Sequence, residues 1–167
     1  KQADFDRDGN RRLIELELHE VSIVSMPMNT RAQVSAVKRG DLAHAIGKAD
    51  ARRFHEKMGV TDPIERLSAG PVHFAFSGWA SVRILPESRP SADDDFLLVF
   101  DHPFSFESHA WREKGRHSGT PVCIMSAGYS SGWCAESFGI PLVSAEIECV
   151  AAGGSRSVKW RTSTVNS

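Results

Sequence analysis

All three cysteines of the chain, which are soft metal-ligating residues, lie in its last third. Cys123 lies in Pro-Val-Cys-Ile-Met-Ser, and Glu146 and Cys149 follow in Glu-Ile-Glu-Cys, three residues apart. Ser157 comes eight residues after Cys149. Thiolate and carboxylate groups bind transition metals, whereas a serine hydroxyl is a poor ligand because it is not readily deprotonated. This region is therefore the first candidate for a metal-binding site.

A second motif, Gly-Tyr-Ser-Ser-Gly, matches the Gly-x-Ser-x-Gly pattern of a nucleophile elbow around Ser130. An α/β-hydrolase needs a histidine after the serine in chain order, and the last histidine of this chain is His117. We therefore interpret the two glycines as a turn from a strand into a helix. His102 and His109 lie on or beside a predicted helix with His117, at no spacing typical of a metal site.

The first fifteen residues fit a calcium-loop pattern from Asp4 to Glu15, Asp-Phe-Asp-Arg-Asp-Gly with a glutamate at the twelfth position. The context does not suit calcium. Only three residues precede the loop, Arg11 stands where an apolar residue is usual, and the exit segment alternates like a strand. We therefore do not expect a calcium site.

Length and composition describe an ordinary globular chain. The 167 residues are 41% hydrophobic and 25% charged, enough for one domain with a sizeable core. The net charge of −1 does not indicate a nucleic-acid-binding surface, and no apolar run is long enough for a membrane helix. Three cysteines, an odd number, do not suggest a disulfide framework and favour a reducing cytoplasm.

The first half of the chain combines a predicted strand with predicted helices. Residues 13–26 alternate apolar and polar side chains as a half-buried strand requires. Residues 41–58, rich in Ala, Lys, Arg and Glu, predict a helix that ends at Gly59. Asp62-Pro63 predicts the capped start of a second, short helix.

From residue 70 onward the pattern changes to strands separated by helices. Alternation at Val72, Phe74 and Phe76 predicts a strand paired with residues 80–85 across a Ser-Gly-Trp turn. Further segments are predicted as a loop over 86–95, a buried strand over 96–100, helices over 105–114 and 128–138, and a hairpin formed by 142–150 and 158–162. This mixed order predicts an α+β fold with an antiparallel sheet and flanking helices.

Residues 3–38 contain Asp-Arg-Asp-Gly-Asn-Arg-Arg-Leu-Ile-Glu, then Glu-Val-Ser-Ile-Val and the downstream Pro-Met-Asn. With these motifs the segment resembles the carboxy-terminal part of the prohead maturation proteases of tailed phages. Those enzymes are serine proteases, and the resemblance assigns Glu20 the role of orienting the base. The family's nucleophile and base lie upstream of this motif, so Glu20 has no partner here and is also explained as a polar residue on a strand. We expect a domain division into 1–40 and 41–167.

Residues 51–160 contain four informative stretches: Arg-Arg-Phe-His-Glu-Lys-Met-Gly-Val, Gly-Pro-Val-His-Phe-Ala-Phe-Ser-Gly-Trp, Asp-His-Pro-Phe-Ser-Phe-Glu and Cys-Ile-Met-Ser-Ala-Gly-Tyr-Ser-Ser-Gly-Trp. With these stretches the segment resembles the 4-vinyl reductase-type small-molecule sensor domain, which is also the sensory part of aromatic-responsive bacterial transcription activators. The resemblance implies an α+β fold, a homodimer, and ligand binding coupled to an output domain that is not part of these 167 residues.

The resemblance also implies a zinc site. In zinc-bearing members the ligands are a Cys, a Glu, a Cys three residues on and a Cys eight further on, and here Cys123, Glu146 and Cys149 match the first three. Ser157 stands at the fourth position. Two interpretations stay open: three protein ligands with one open position, or a lost site in which Cys149 is a small apolar side chain. Cys134 is interpreted as a packing residue that becomes a substitute ligand if the fold brings it close.

For the ligand pocket, the resemblance implies a histidine on a central strand and a tryptophan near the following helix that bind a phenolic hydroxyl. His73 matches the histidine, and Phe106 stands at the tryptophan position, without an indole N–H. Phe74, Trp79 and Tyr129 complete the expected apolar cavity. Val72, Phe74 and Phe76 are equally explained as core.

These observations predict an intracellular sensory domain that binds a small hydrophobic or aromatic molecule and regulates an attached or partner output domain. No direct binding to nucleic acid or membrane is expected. The alternative is an inactive remnant of a phage prohead serine protease. A third interpretation is a mis-joined reading frame, in which the first 40 residues only decorate the second domain.

Overall fold

The computed structural model describes residues 3–5, 11–13, 39–115, 117–154 and 158–165. The chain divides into two compact units, residues 1–33 and 34–167. In the first unit, β1 (Ala3–Phe5) pairs antiparallel with β2 (Arg11–Leu13). The strand β2 lies within the segment from Asp4 to Glu15 that fits the calcium-loop pattern. Glu20 and the remainder of the predicted strand over 13–26 lie outside the described residues.

The second unit begins with two helices. Helix α1 (Arg39–Met58) ends at Gly59, whose φ of 65° is the left-handed conformation that favours glycine. Helix α2 (Pro63–Phe76) starts as the sequence predicts: the N–H groups of Ile64 and Glu65 donate to the Asp62 carboxylate at 2.9 and 3.0 Å. Both predicted helix starts are therefore confirmed within about two residues.

The predicted strand over Val72, Phe74 and Phe76 is wrong, because these residues belong to α2. The buried residues of this helix are Leu67, Gly70 and Phe74, at the three- and four-residue spacing of a helix face. Val72 is 69% exposed and Phe76 is 92% exposed, so their apolar character does not mark a buried strand face. The two-residue alternation was therefore misleading.

An open antiparallel sheet follows, in the spatial order β3–β4–β6–β5. The strands are β3 (Ala80–Ile84), β4 (Leu97–Ser105), β5 (Leu142–Glu148) and β6 (Val158–Thr164). Strand β3 pairs with β4, not with residues 72–76, and the predicted hairpin of β5 and β6 is confirmed. The α+β fold class is confirmed.

Two further helices lie between β4 and β5. Helix α3 (Phe106–Glu113) confirms the helix predicted over 105–114 and begins directly after β4, which runs five residues beyond the strand predicted over 96–100. Helix α4 (Ile124–Phe138) begins four residues before the predicted Gly128 and ends at Gly139. A short 3₁₀ turn, Val150–Ala152, follows β5. None of the helices in the described segments is long and apolar enough to cross a membrane.

Helices α1 and α4 approach each other so closely that side chains are excluded at the crossing. A Cβ added to Gly47 would lie 2.3 Å from the Tyr129 carbonyl oxygen, and one added to Gly132 would lie 2.1 Å from the His44 carbonyl oxygen. Arg52 adds a bidentate pair with Glu136, at 2.9 and 3.1 Å. This contact fixes α4, the helix that borders both candidate sites.

Candidate functional site

An apolar cavity of about 200 Å³ lies between α2, β3, β4 and α4. Its wall includes Leu67, Pro71 and Phe74 from α2, Val82 and Ile84 from β3, Leu98, Phe100 and His102 from β4, and Ser130, Trp133 and Cys134 from α4. Ile64 and Ile84 also border it and are each 45% exposed, so the cavity opens toward the surface beside them. Dry apolar cavities of about 150 Å³ bind benzene, so this one has room for a single aromatic ring.

His102 is the unusual member of this wall. It is 1% exposed, and neither ring nitrogen has a hydrogen-bond partner among the described residues. Burial lowers the pKa of His102 to about 4, so the ring is neutral at physiological pH. A neutral imidazole offers one donor and one acceptor nitrogen. Buried polar groups are normally satisfied, so an unpartnered imidazole beside a cavity suggests that a bound molecule supplies the missing bond.

The strand β4 places His102 there by simple alternation. Phe96, Leu98, Phe100 and His102 follow one another at two-residue intervals, and all four are buried. The strand predicted over 96–100 stops before this histidine. Extending the two-residue interval from Leu98 and Phe100 past Asp101 would have found it.

The structure brings together all five residues that the resemblance implied for ligand binding. Ring centroids are 5.9 Å apart for His73 and Tyr129, 5.2 Å for Phe74 and Tyr129, 5.1 Å for Trp79 and Tyr129, and 5.4 Å for Trp79 and Phe106. Of the five, only Phe74 borders the cavity, where its ring lies 5.7 Å from that of His102. The other four form an adjoining aromatic cluster.

His73 lies on α2 instead of on a central strand. Its ring stacks on Trp133 at 5.5 Å and contacts Phe54 at 4.6 Å. Burial lowers the pKa of His73, and the nearby Asp50 carboxylate partly offsets this. The Tyr129 hydroxyl donates to Asp50 at 3.0 Å, so that phenol group already has a partner.

The three metal-type residues also come together. The ligand atoms of Cys123, Glu146 and Cys149 lie within 4.8 Å of one another. Cys123 caps the start of α4, Glu146 lies on β5, and Cys149 directly follows that strand. Both cysteines are buried. No other group of three such residues lies together in the segments that the structure describes.

The arrangement around Glu146 fits a cation. Its Oε2 accepts the Cys123 N–H at 2.9 Å, while its Oε1 is buried with no partner among the described residues. The Ser105 hydroxyl donates to Cys123 Sγ at 3.7 Å. Ligand atoms around tetrahedral zinc are roughly 3.5 Å apart, so a modest contraction of the cluster would suffice. Two thiols and one free carboxylate oxygen suit zinc chemically.

The fourth implied position cannot be placed, because Ser157 lies outside the described residues. A groove of about 400 Å³ borders Cys123 and Glu146 and is also lined by Asp41 and His44 of α1. It offers an entry path to the cluster. Cys134 does not join the cluster: it lines the apolar cavity, and burial raises its pKa to about 12. Its interpretation as a packing residue agrees with this position.

Burial controls the chemistry of both cluster thiols. It raises the pKa of Cys123, and the negative charges of Glu146 and Glu107 raise it further. Burial likewise raises the pKa of Cys149, and the nearby Glu146 carboxylate raises it further. Thiols of this kind are poor nucleophiles on their own, and they gain thiolate character when a metal displaces the proton. Ser130 is buried within α4 and borders the cavity, so it is not presented as an exposed nucleophile.

Comparison with known proteins supports the fold. No protein-family model and no curated protein matches the chain. The phenol-responsive sensory domain of the transcription activator PoxR, crystallised with phenol, is similar at a TM-score of 0.67 and 22% sequence identity. The match covers 77% of this chain and 63% of that one, so this chain spans less than two thirds of it.

A vinyl-4-reductase family protein from Methanocaldococcus jannaschii is similar at a TM-score of 0.54 and 16% identity, over 78% of this chain and 70% of that one. Both similarities concern the fold, since identities this low do not carry function. The described part of the chain therefore has the α+β fold of the 4-vinyl reductase type, an open four-stranded antiparallel sheet with four helices, as the sequence resemblance predicts.

Proposed function

We propose that the second unit is a sensory domain that binds a small, mainly apolar molecule carrying one hydrogen-bonding group, and that it regulates an attached or partner output domain. The cavity bordered by His102 carries this proposal. A wall of aliphatic and aromatic side chains with one unpartnered polar group is typical of small-ligand sites. The fold shared with the phenol-responsive domain of PoxR supports it.

The ligand is bound through its ring and its hydroxyl. Phe74, Phe100 and Trp133 offer faces and edges for an aromatic ring, and His102 exchanges a hydrogen bond with a hydroxyl group. Because the pKa of His102 is about 4, the imidazole carries no charge to compensate a carboxylate. Phenol should therefore bind more tightly than toluene or benzoate.

Calorimetric titration with phenol, toluene and benzoate tests this, using the wild-type chain, His102→Leu and His73→Leu. His102→Leu should weaken phenol binding roughly tenfold and leave toluene binding nearly unchanged, because one hydrogen bond is lost. His73→Leu is the matched control, since His73 does not border the cavity. Loss of phenol binding in His73→Leu alone would favour the residue that the resemblance implied. Failure of the wild-type chain to bind any of the three would contradict the proposal.

We further propose that Cys123, Glu146 and Cys149 hold a zinc ion, which would stabilise the junction between α4 and β5. The unpartnered Oε1 of Glu146 beside two thiols supports this proposal. Native mass spectrometry of the purified chain tests it, since zinc and a second subunit each add a defined mass. A metal-free monomer after incubation with zinc would contradict both the zinc site and the predicted homodimer.

A further inference from the structure

A buried carboxylate outside the metal cluster holds the helix on which the cluster depends. Glu107, in the first turn of α3, is 8% exposed. The N–H groups of Met125 and Ser126 donate to its Oε1 and Oε2 at 3.0 and 2.8 Å. Acidic side chains are rarely this buried unless their oxygens are fully used.

These two bonds replace a missing helix cap. The first turn of any α-helix leaves N–H groups without partners, and a side chain at the capping position usually accepts one of them. The cap of α4 is Cys123, whose side chain makes no such bond. Glu107 therefore supplies from a neighbouring helix what Cys123 does not.

Cys123 is consequently held from two sides. Its own N–H donates to Glu146 on β5, and the N–H groups two and three residues later donate to Glu107 on α3. Ser105, two residues before Glu107, adds its hydroxyl contact to the thiol. Without Glu107, the first turn of α4 would lose both accepting oxygens, and Cys123 would keep only its backbone bond to Glu146 and the Ser105 contact to its thiol.

We propose that Glu107 is a positioning residue of the metal cluster, which sets the metal affinity by fixing Cys123 through the first turn of α4. This inference rests on the zinc site proposed above. The chemistry requires a carboxylate, since a glutamine has one accepting oxygen and would present an N–H group to the second backbone N–H. Loss of such supporting bonds typically lowers metal affinity between 10-fold and 100-fold.

The experiment compares four chains: wild type, Glu107→Gln, Glu113→Gln and Phe138→Leu. Glu113 lies on the same helix, and its side chain is 68% exposed, which makes it the matched charge control. Phe138 packs against Phe96 at the opposite end of α4, with ring centroids 5.0 Å apart, and controls for loss of stability. Zinc affinity is measured by competition with a chromophoric chelator. Cysteine alkylation rates are measured by peptide mass spectrometry on the metal-free chain.

Glu107→Gln should weaken zinc binding at least tenfold and accelerate alkylation of Cys123 several-fold, with Cys134 unchanged. Glu113→Gln should match the wild type. The inference is overturned if Glu107→Gln retains the zinc affinity of Glu113→Gln, or if Phe138→Leu weakens zinc equally. If the wild type binds no zinc, the zinc proposal fails, and the alkylation rate of Cys123 in Glu107→Asp decides the positioning role, because that variant keeps the negative charge that raises the Cys123 pKa. Glu107→Asp, which keeps both oxygens on a shorter arm, replaces the glutamine variant if that variant does not fold.

Discussion

The apolar cavity and the thiol–carboxylate cluster border the same helix, yet they are held by different forces. The cavity lies beside the middle of α4, at Ser130, Trp133 and Cys134, and its wall is mostly apolar side chains. The cluster lies at the start of α4 and is fixed by directional hydrogen bonds from Glu107 and Glu146. Packing depends on volume and tolerates similar shapes, whereas a hydrogen-bonded site depends on particular atoms. Substitutions should therefore affect the cluster more sharply than the cavity.

The largest expected effect is at the cluster. Cys149→Ser should raise the zinc dissociation constant by roughly a hundredfold or more, because a hydroxyl replaces a thiolate. Cys134→Ser should leave zinc affinity unchanged, since Cys134 lines the cavity instead. Chelator competition on both variants checks this. Equal affinity in wild type and Cys149→Ser would remove Cys149 from the ligand set.

The next effect is a dependence of stability on pH at the cavity. The pKa of His102 is lowered from 6.5 to about 4 by burial, so the unfolded chain binds the extra proton more readily than the folded one. The contribution of His102 to the free energy of unfolding is therefore fully present above pH 6.5. It falls as the pH drops towards 4, by about 2 kcal/mol between pH 7 and pH 5.

Urea denaturation of the wild type and His102→Leu at both pH values measures this effect. The pKa values of His44, His55 and His73 are also lowered by burial, so the wild type should retain a further slope from those groups. The difference between the two chains isolates His102. Parallel pH profiles would show that the ring is protonated without cost in the folded chain.

A smaller effect is expected where α2 meets α4. A Cβ added to Gly70 would lie 2.9 Å from the Trp133 indole nitrogen, so Gly70→Ala should cost about 1 to 2 kcal/mol and displace that ring. Gly119→Ala is the control, because nothing lies within 4 Å of its added Cβ. Thermal unfolding compares them. Identical midpoints would mean that the Trp133 ring moves freely.

The smallest effect is expected at Phe76, in the part of α2 that the sequence predicts as a strand. Phe76→Ser should change the free energy of unfolding by less than about 0.5 kcal/mol, since Phe76 is 92% exposed. Phe74→Ala should cost about 3 kcal/mol or more, because Phe74 is buried. If the two residues shared one face of a strand, both substitutions would be costly. Chemical denaturation distinguishes the two cases.

Local signals in the sequence predicted much of the fold. The Asp62-Pro63 start of α2, the glycine end of α1 and the hairpin of β5 and β6 follow from capping, left-handed backbone and alternation. These local signals did not predict that α2 continues as a helix beyond residue 70. Val72, Phe74 and Phe76 satisfy a two-residue pattern, while the surface that actually covers α2 selects Leu67, Gly70 and Phe74. Only the residues that pack against this segment decide between the two-residue spacing of a strand and the three- to four-residue spacing of a helix.

The two candidate sites were predictable to different degrees, because a sequence shows local spacing but not which distant segments come together. The spacing of Glu146 and Cys149 is local, but Cys123 reaches them only across the whole of α4, so the resemblance was needed to connect the three. His102 needed no resemblance, since it follows Leu98 and Phe100 at two-residue intervals in β4, whose residues 98–102 are all buried. The predicted strand stops at Phe100, before the charged Asp101, which is itself buried within β4.

The position of Trp133 has an optical consequence. Its indole borders the cavity and lies among His73, Tyr129 and Phe54, while Trp160 is also buried and lies 5.3 Å from the His102 ring. The chain has four tryptophans in all. Occupation of the cavity would therefore change the surroundings of an emitting ring directly. The protein carries its own fluorophore at the place where a ligand would arrive, and its intrinsic emission can follow binding without any added dye.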